Sequence, residues 1–154
     1  MFHFSLQSLL DYRKHIVDQL LSELAEARRL FNEAEITLKK LKAEKQATAS
    51  TLDRLQEGSL NATVLASYIS YTTLLQNRIN EQDRTVQDVS KRLEEKQHQV
   101  TEAVKQRKVL EILREKRYGM YLQETMKRER KELDELGILR TGKGGYLEKT
   151  DHSL

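Results

Sequence analysis

GSLNATVLASYISYTTLLQN, residues 58–77, holds no charged residue, in a chain of which 33% is Asp, Glu, Lys or Arg. Its first four residues read as a turn. Gly58 suits the end of a helix, because a residue without a Cβ closes the last turn at little steric cost. Ser59 and Asn61 can each accept a hydrogen bond from the free N–H groups that begin a new helix. The chain is expected to reverse at about 58–61, so the patterns on either side decide the fold.

Before the turn, positions 10, 17, 24, 31, 38, 45 and 52 read Leu, Val, Leu, Phe, Leu, Lys and Leu. Three residues on, positions 13, 20, 27, 34, 41, 48 and 55 read Arg, Leu, Ala, Ala, Leu, Thr and Leu. A seven-residue repeat held this long predicts a left-handed coiled coil with breaks at Arg13, Lys45 and Thr48. After the turn the seam resumes as Leu65, Tyr68, Thr72, Leu75, Ile79, Gln82, Val86, Val89, Leu93, Val100, Ala103 and Leu110, weaker at Gln82 and Lys96. The expected fold is all-α, a long two-helix antiparallel coiled-coil hairpin. Helix one is expected over about 4–57 and helix two over about 61–136, in a single domain spanning 1–137. Residues 138–154, rich in Gly and polar residues without a period, are expected to be a flexible tail. At 1.5 Å per residue the helices span ~80 Å and ~115 Å, which brings the N-terminus beside roughly residue 115. Helix two then overhangs across KRYGMYLQETMKRERKELDEL, residues 116–136.

Composition agrees with an elongated protein. There is no Pro, no Cys and no Trp, and only 38% of residues are hydrophobic. Without Pro, long helices are unbroken; without Cys, disulfide scaffolds and thiolate metal sites are excluded, as suits a cytosolic protein. The start MFHFSLQSLLDYRKH has its basic residues after the apolar ones, unlike a signal peptide. No stretch approaches the ~20 apolar residues of a membrane span, so no direct membrane insertion is expected.

Catalytic and cofactor motifs are poorly supported. Gly137-Ile-Leu-Arg-Thr-Gly142-Lys143 fits G-x-x-x-x-G-K, but Gly144 stands where a phosphate loop needs Ser or Thr, and the flanking strand is missing. The histidines, His3, His15, His98 and His152, form no i, i+4 pair. Two helices alone enclose no pocket that would exclude water. The chain is read as a non-enzyme with no catalytic, cofactor-binding or metal residues.

Two features fit protein partners, beside the plainer readings of a solvated basic face and of a short stripe that caps the coil near its hairpin tip. From Lys105 to Lys131 ten basic residues face four acids, on the later part of helix two. A basic zipper would place its cations before the coil, so nucleic acid is not the expected partner. On the uncharged stretch, Leu65, Tyr68, Thr72, Leu75 and Ile79 face helix one. Val64, Tyr71, Leu74 and Arg78 form a second stripe that helix one leaves uncovered, so it pairs with a copy or meets a partner.

The opening FHFSLQSLLDYRKH, residues 2–15, resembles the F-x-F-x-L-Q-x-L-L-x-Y-R start of the FliJ family, small coiled-coil components of the bacterial flagellar export apparatus. Tyr68-x-x-Tyr71 with Leu74, Leu75 and Ile79 is similar to that family's mid-chain aromatic segment. LEILREKRYGMYLQETMKRERKELD, residues 110–134, is similar to its C-terminal pattern. The order of parts also resembles injectisome stalk proteins. The resemblance implies a coil like the central stalk of rotary ATPases. It implies a hexameric flagellar export ATPase and the cytoplasmic domain of the export gate as partners, and export chaperones for some members. It places the protein in the cytoplasm, peripheral at the inner-membrane export apparatus. By matching positions it puts the gate contact on Tyr71, Leu74, Leu75, Arg78 and Gln82. Arg78 and Gln82 there depart from the family's small and His-like residues. It puts the ATPase contact on Phe2, Phe4, Leu6, Leu9 and Arg13 with Arg117, Tyr121, Lys127, Arg128 and Lys131. Set beside this reading are a structural coiled-coil scaffold or tether that dimerises along the exposed stripe, and a nucleic-acid binder using the basic run.

Overall fold

A computed structural model describes residues 1–58 and 61–148, with side chains described as far as residue 141. It consists of two helices, α1 (Gln7–Gln56) and α2 (Ala62–Glu148), of 50 and 87 residues. No strand occurs among the described residues. The fold is the expected antiparallel two-helix coiled coil.

Helix ends follow local chemistry. The Gln7 N–H donates to the Phe4 carbonyl, 3.1 Å, as α1 begins. At its other end the Gly58 N–H donates to the Leu55 carbonyl, 3.3 Å, an i→i+3 bond that tightens the last turn. Gly58 ends the helix without the left-handed conformation common at such positions, since no described glycine has positive φ. Residues 59 and 60 of the expected turn lie outside the described residues. Asn61 caps α2 twice over: its Oδ1 accepts from the Thr63 N–H, 3.1 Å, and its carbonyl accepts from the Leu65 N–H, 3.1 Å.

The expected end of helix two near 136 is passed, because α2 continues to Glu148. Gly137 costs about 1 kcal/mol against Ala, too little to end a helix with no Pro behind it. The Thr141 hydroxyl donates to the Gly137 carbonyl, 2.8 Å, without breaking the ladder. The stretch 137–143 that fits a phosphate-loop pattern is thus helical backbone, whose N–H groups are spent within the helix. The last part of the expected tail, 149–154, lies outside the described residues.

The chain forms two compact units. One is Tyr12–Gln106 and the other joins Met1–Asp11 to the segment from Arg107 onward. In Tyr12–Gln106 the seam is filled by Val17, Ala34, Thr48, Leu75, Ile79 and Ala103, all buried. Cross-helix bonds pair rising numbers on α1 with falling numbers on α2: Arg13 donates to Gln106, Lys96 to Glu23 at 2.7 Å, Gln82 to the Ala34 carbonyl at 3.0 Å, and Lys45 to Gln76. Each polar break in the heptad therefore has a partner. Thr48 satisfies its hydroxyl on the Glu44 carbonyl at 2.8 Å. A half-buried polar group without such a bond would cost more than the break itself. On the solvent face Arg29 bridges Glu26 and Glu33 at 2.5 and 2.6 Å, which lowers the Glu26 carboxyl from its ordinary value through its hydrogen bond to that guanidinium.

In the other unit Phe4, Leu10 and Leu110 form a buried cluster, with Phe2, Leu6 and Leu113 packed against it. Residues 1–4 are not helical. Phe2 and Phe4 lie against α2 through their side chains, while Met1 and His3 are exposed, which is why the heptad could not have placed them.

Candidate partner-binding surfaces

The mid-chain surface is built on α2 of Tyr12–Gln106. Heptad spacing turns Leu75 fully inward, at 0% exposure, and leaves Val64, Tyr71 and Leu74 at 40, 37 and 44%. Arg78, one turn beyond Leu74, is also exposed. The two stripes expected on this segment are both present. The expected gate residues divide between them: Tyr71, Leu74 and Arg78 are open to a partner. Leu75 and Gln82 are not, because Leu75 is sealed in the seam and Gln82 is half-buried with its amide bonded to Ala34.

Glu44 of α1 adds a residue that the sequence reading missed. Its carboxylate accepts a hydrogen bond from the Tyr71 hydroxyl. That bond holds the Tyr71 phenol above its ordinary value, with slight burial and the Glu44 charge adding to it. Glu44 lies 27 residues away in sequence. Only the antiparallel register brings it opposite Tyr71, and register was the one signal that could have pointed to it.

The second surface lies in the unit of Met1–Asp11 and Arg107 onward. Phe2 meets the rings of Tyr118 and Tyr121 at centroid distances of 5.2 and 5.5 Å. Arg117 stands 5.6 Å over the Phe4 ring and donates to the Ser5 hydroxyl at 2.9 Å. Arg114 donates to Gln7 at 3.2 Å. The N-terminal segment thus reaches as far as residue 121, one to two turns past the expected 115. The expected ATPase residues divide again. Phe4 is buried, and Phe2, Leu6 and Tyr121 are half-buried in the packing of this unit. Their first task is to hold residues 1–6 on α2. Leu9, Arg117, Lys127, Arg128 and Lys131 are exposed. Arg13 belongs to the other unit and is half-buried with Gln106. From Leu122 to Thr141 every described side chain except Thr125 is exposed, so this length of α2 has no tertiary cover among the described residues.

Within Tyr12–Gln106 a groove of about 400 Å³ has Ala27, Leu30 and Val89 among its lining residues. The Lys96–Glu23 ion pair borders it. Its lining includes no cysteine and no histidine. No group of three His, Cys, Asp or Glu able to hold a metal occurs among the described residues. No described helix is long and apolar enough to cross a membrane.

Comparison with known proteins agrees with this architecture. The family model for the flagellar FliJ protein matches residues 2–145. No curated protein sequence matches the chain. Among solved structures, a chain from Chlamydia trachomatis described as a YscO homolog superposes with a TM-score of 0.65. It is 22% identical, over 97% of this chain and 99% of that one. At that identity the likeness is one of fold.

Proposed function

Because this chain belongs to the flagellar FliJ protein family, we propose that it is a non-catalytic stalk of the flagellar type III protein export apparatus. In this reading one part of the coil binds the hexameric export ATPase and promotes its assembly. Another part binds the cytoplasmic domain of the export gate. Export chaperones are further partners. It works in the cytoplasm, at the inner-membrane export apparatus.

The observation that carries the gate contact is the exposure of Val64, Tyr71 and Leu74 at 37–44% on a helix whose opposite stripe already fills the seam. An uncharged, partly apolar stripe that costs the coil nothing to lose is kept for something outside it. Tyr71 is also pre-positioned by Glu44. A held aromatic loses less side-chain freedom on binding than a free one, which favours affinity. The ATPase contact is assigned to the exposed residues Leu9, Arg117, Lys127, Arg128 and Lys131, beside the packed N-terminal segment.

The test is a binding titration of purified gate domain against intact protein and against the Tyr71→Ala, Leu74→Ala double variant. The reading expects the variant to keep its helicity and lose binding. Equal binding by both proteins contradicts it.

A further inference from the structure

Residues 116–131, KRYGMYLQETMKRERK, carry six basic residues and two acids, in a chain whose net charge is only +3. None of the six lies within 4.0 Å of a carboxylate among the described residues. At 100° per residue, Tyr118, Leu122 and Met126 rise one turn apart along one side of α2. They are 46, 42 and 56% exposed. Phe2 packs on Tyr118 and lengthens this apolar side at its start. Glu129, one turn after Met126, ends it. Arg128 falls towards one flank of the stripe and Arg130 on the other, while Lys116, Arg117, Lys127 and Lys131 point away from it.

We infer that this segment binds an anionic phospholipid surface, lying along the bilayer with Tyr118, Leu122 and Met126 at the hydrocarbon boundary. Two features favour a lipid surface over other anions. An acidic protein groove meets one side of a helix, yet the cations here surround it on three sides. A charged plane draws the flanking Arg128 and Arg130 most strongly and the cations behind them more weakly, because a helix is about 10–12 Å wide and the Debye length is about 8 Å at physiological salt. Duplex nucleic acid would also draw the cations, but its grooves and phosphates offer nothing to three exposed apolar side chains in a row. A helix with arginines flanking an apolar stripe lets their stems run along the hydrocarbon edge while the guanidinium groups stay at the headgroups. The segment rests on the surface and does not cross it. The inference stands on this segment alone and does not depend on the export partners proposed above.

The experiment is flotation of the full-length protein with vesicles of phosphatidylcholine alone and with vesicles enriched in phosphatidylglycerol, with no protein partner present. The protein is expected to float with the phosphatidylglycerol vesicles only, and to be released as salt is raised. Each cation near such a surface adds about fivefold to partitioning (~1 kcal/mol). Combined Lys127→Gln, Arg128→Gln, Arg130→Gln and Lys131→Gln should therefore weaken it on the order of 100-fold or more. Leu122→Ser with Met126→Ser should weaken it several-fold while leaving the salt dependence unchanged. All six positions are exposed, and circular dichroism confirms that the variants keep their helicity. Absence of flotation at low salt overturns the inference. So does binding that the Leu122 and Met126 changes leave intact while duplex DNA is bound equally well, because the segment is then a general polyanion patch.

Discussion

Gln82 on α2 donates a 3.0 Å hydrogen bond from its amide to the main-chain carbonyl of Ala34 on α1. That bond turns a polar break in the heptad into a cross-helix pin and leaves Gln82 half-buried with its amide engaged. Gln82→Ala should cost about 1 kcal/mol in stability, the worth of one such bond. It should leave gate binding unchanged. Urea unfolding and a binding titration on one preparation check both halves. Weaker gate binding at unchanged stability would return Gln82 to the contact surface.

Neighbouring residues on α2 should separate in the same way. Leu75 is fully buried, so Leu75→Ala should destabilise the coil by about 2–5 kcal/mol through the cavity it leaves. Tyr71→Ala with Leu74→Ala should change stability by less than about 1 kcal/mol, as surface positions do. The same pair should weaken gate binding by about tenfold or more, as expected for an aromatic at a contact centre. Thermal melts distinguish the two sets. A large drop in melting temperature for the Tyr71 and Leu74 pair would make that stripe part of the core.

Alkaline pH should act on the mid-chain surface through the Tyr71–Glu44 hydrogen bond. This bond raises the Tyr71 phenol above its ordinary value near 10, because it stabilises the protonated hydroxyl. A raised folded value means that the contribution is complete below the unfolded value. It is lost as pH rises through the folded one, where the phenolate is repelled by Glu44. Phenolate absorbance should show Tyr71 titrating above its ordinary value. Glu44→Gln should shift it down. An unchanged titration in the Glu44→Gln protein would remove Glu44 as the cause.

Ending the chain after Met126 keeps Tyr118 and Tyr121, and with them the packing of Phe2, while removing Lys127, Arg128 and Lys131. The shortened protein should retain its helicity per residue and its mid-chain binding. Its stimulation of the export ATPase should fall about tenfold at the least, from the loss of the exposed basic run that includes Lys127, Arg128 and Lys131. Full stimulation by the shortened protein would clear this segment of the ATPase contact.

Much of this was legible before any coordinates. Every position named on the α1 seam, from Leu10 and Arg13 to Leu52 and Leu55, is at least partly shielded. So is each named seam residue of α2 from Leu65 to Leu110. A seven-residue period is a direct print of packing, so it reads cleanly. The rest depends on longer reach. Periodicity said nothing of Phe2 and Phe4, because residues 1–4 are not helical and their rings find Tyr118 and Leu110 in space. Tyr71 meeting Glu44, and Lys45 meeting Gln76, follow only once the antiparallel register is fixed. The length of α2 was underestimated because glycine lowers helix propensity without forbidding the helix, and Gly137 stands in open space.

The measurement that bears most directly on the stalk reading is simultaneous capture. Intact protein is immobilised through its C-terminal end and offered hexameric export ATPase and gate domain together, then each alone. The account predicts that both are retained in one complex. It predicts that the Tyr71→Ala, Leu74→Ala change releases the gate domain alone, and that neutralising Lys127, Arg128 and Lys131 releases the ATPase alone. Retention of neither partner by the intact protein, or mutual displacement of the two, would contradict it.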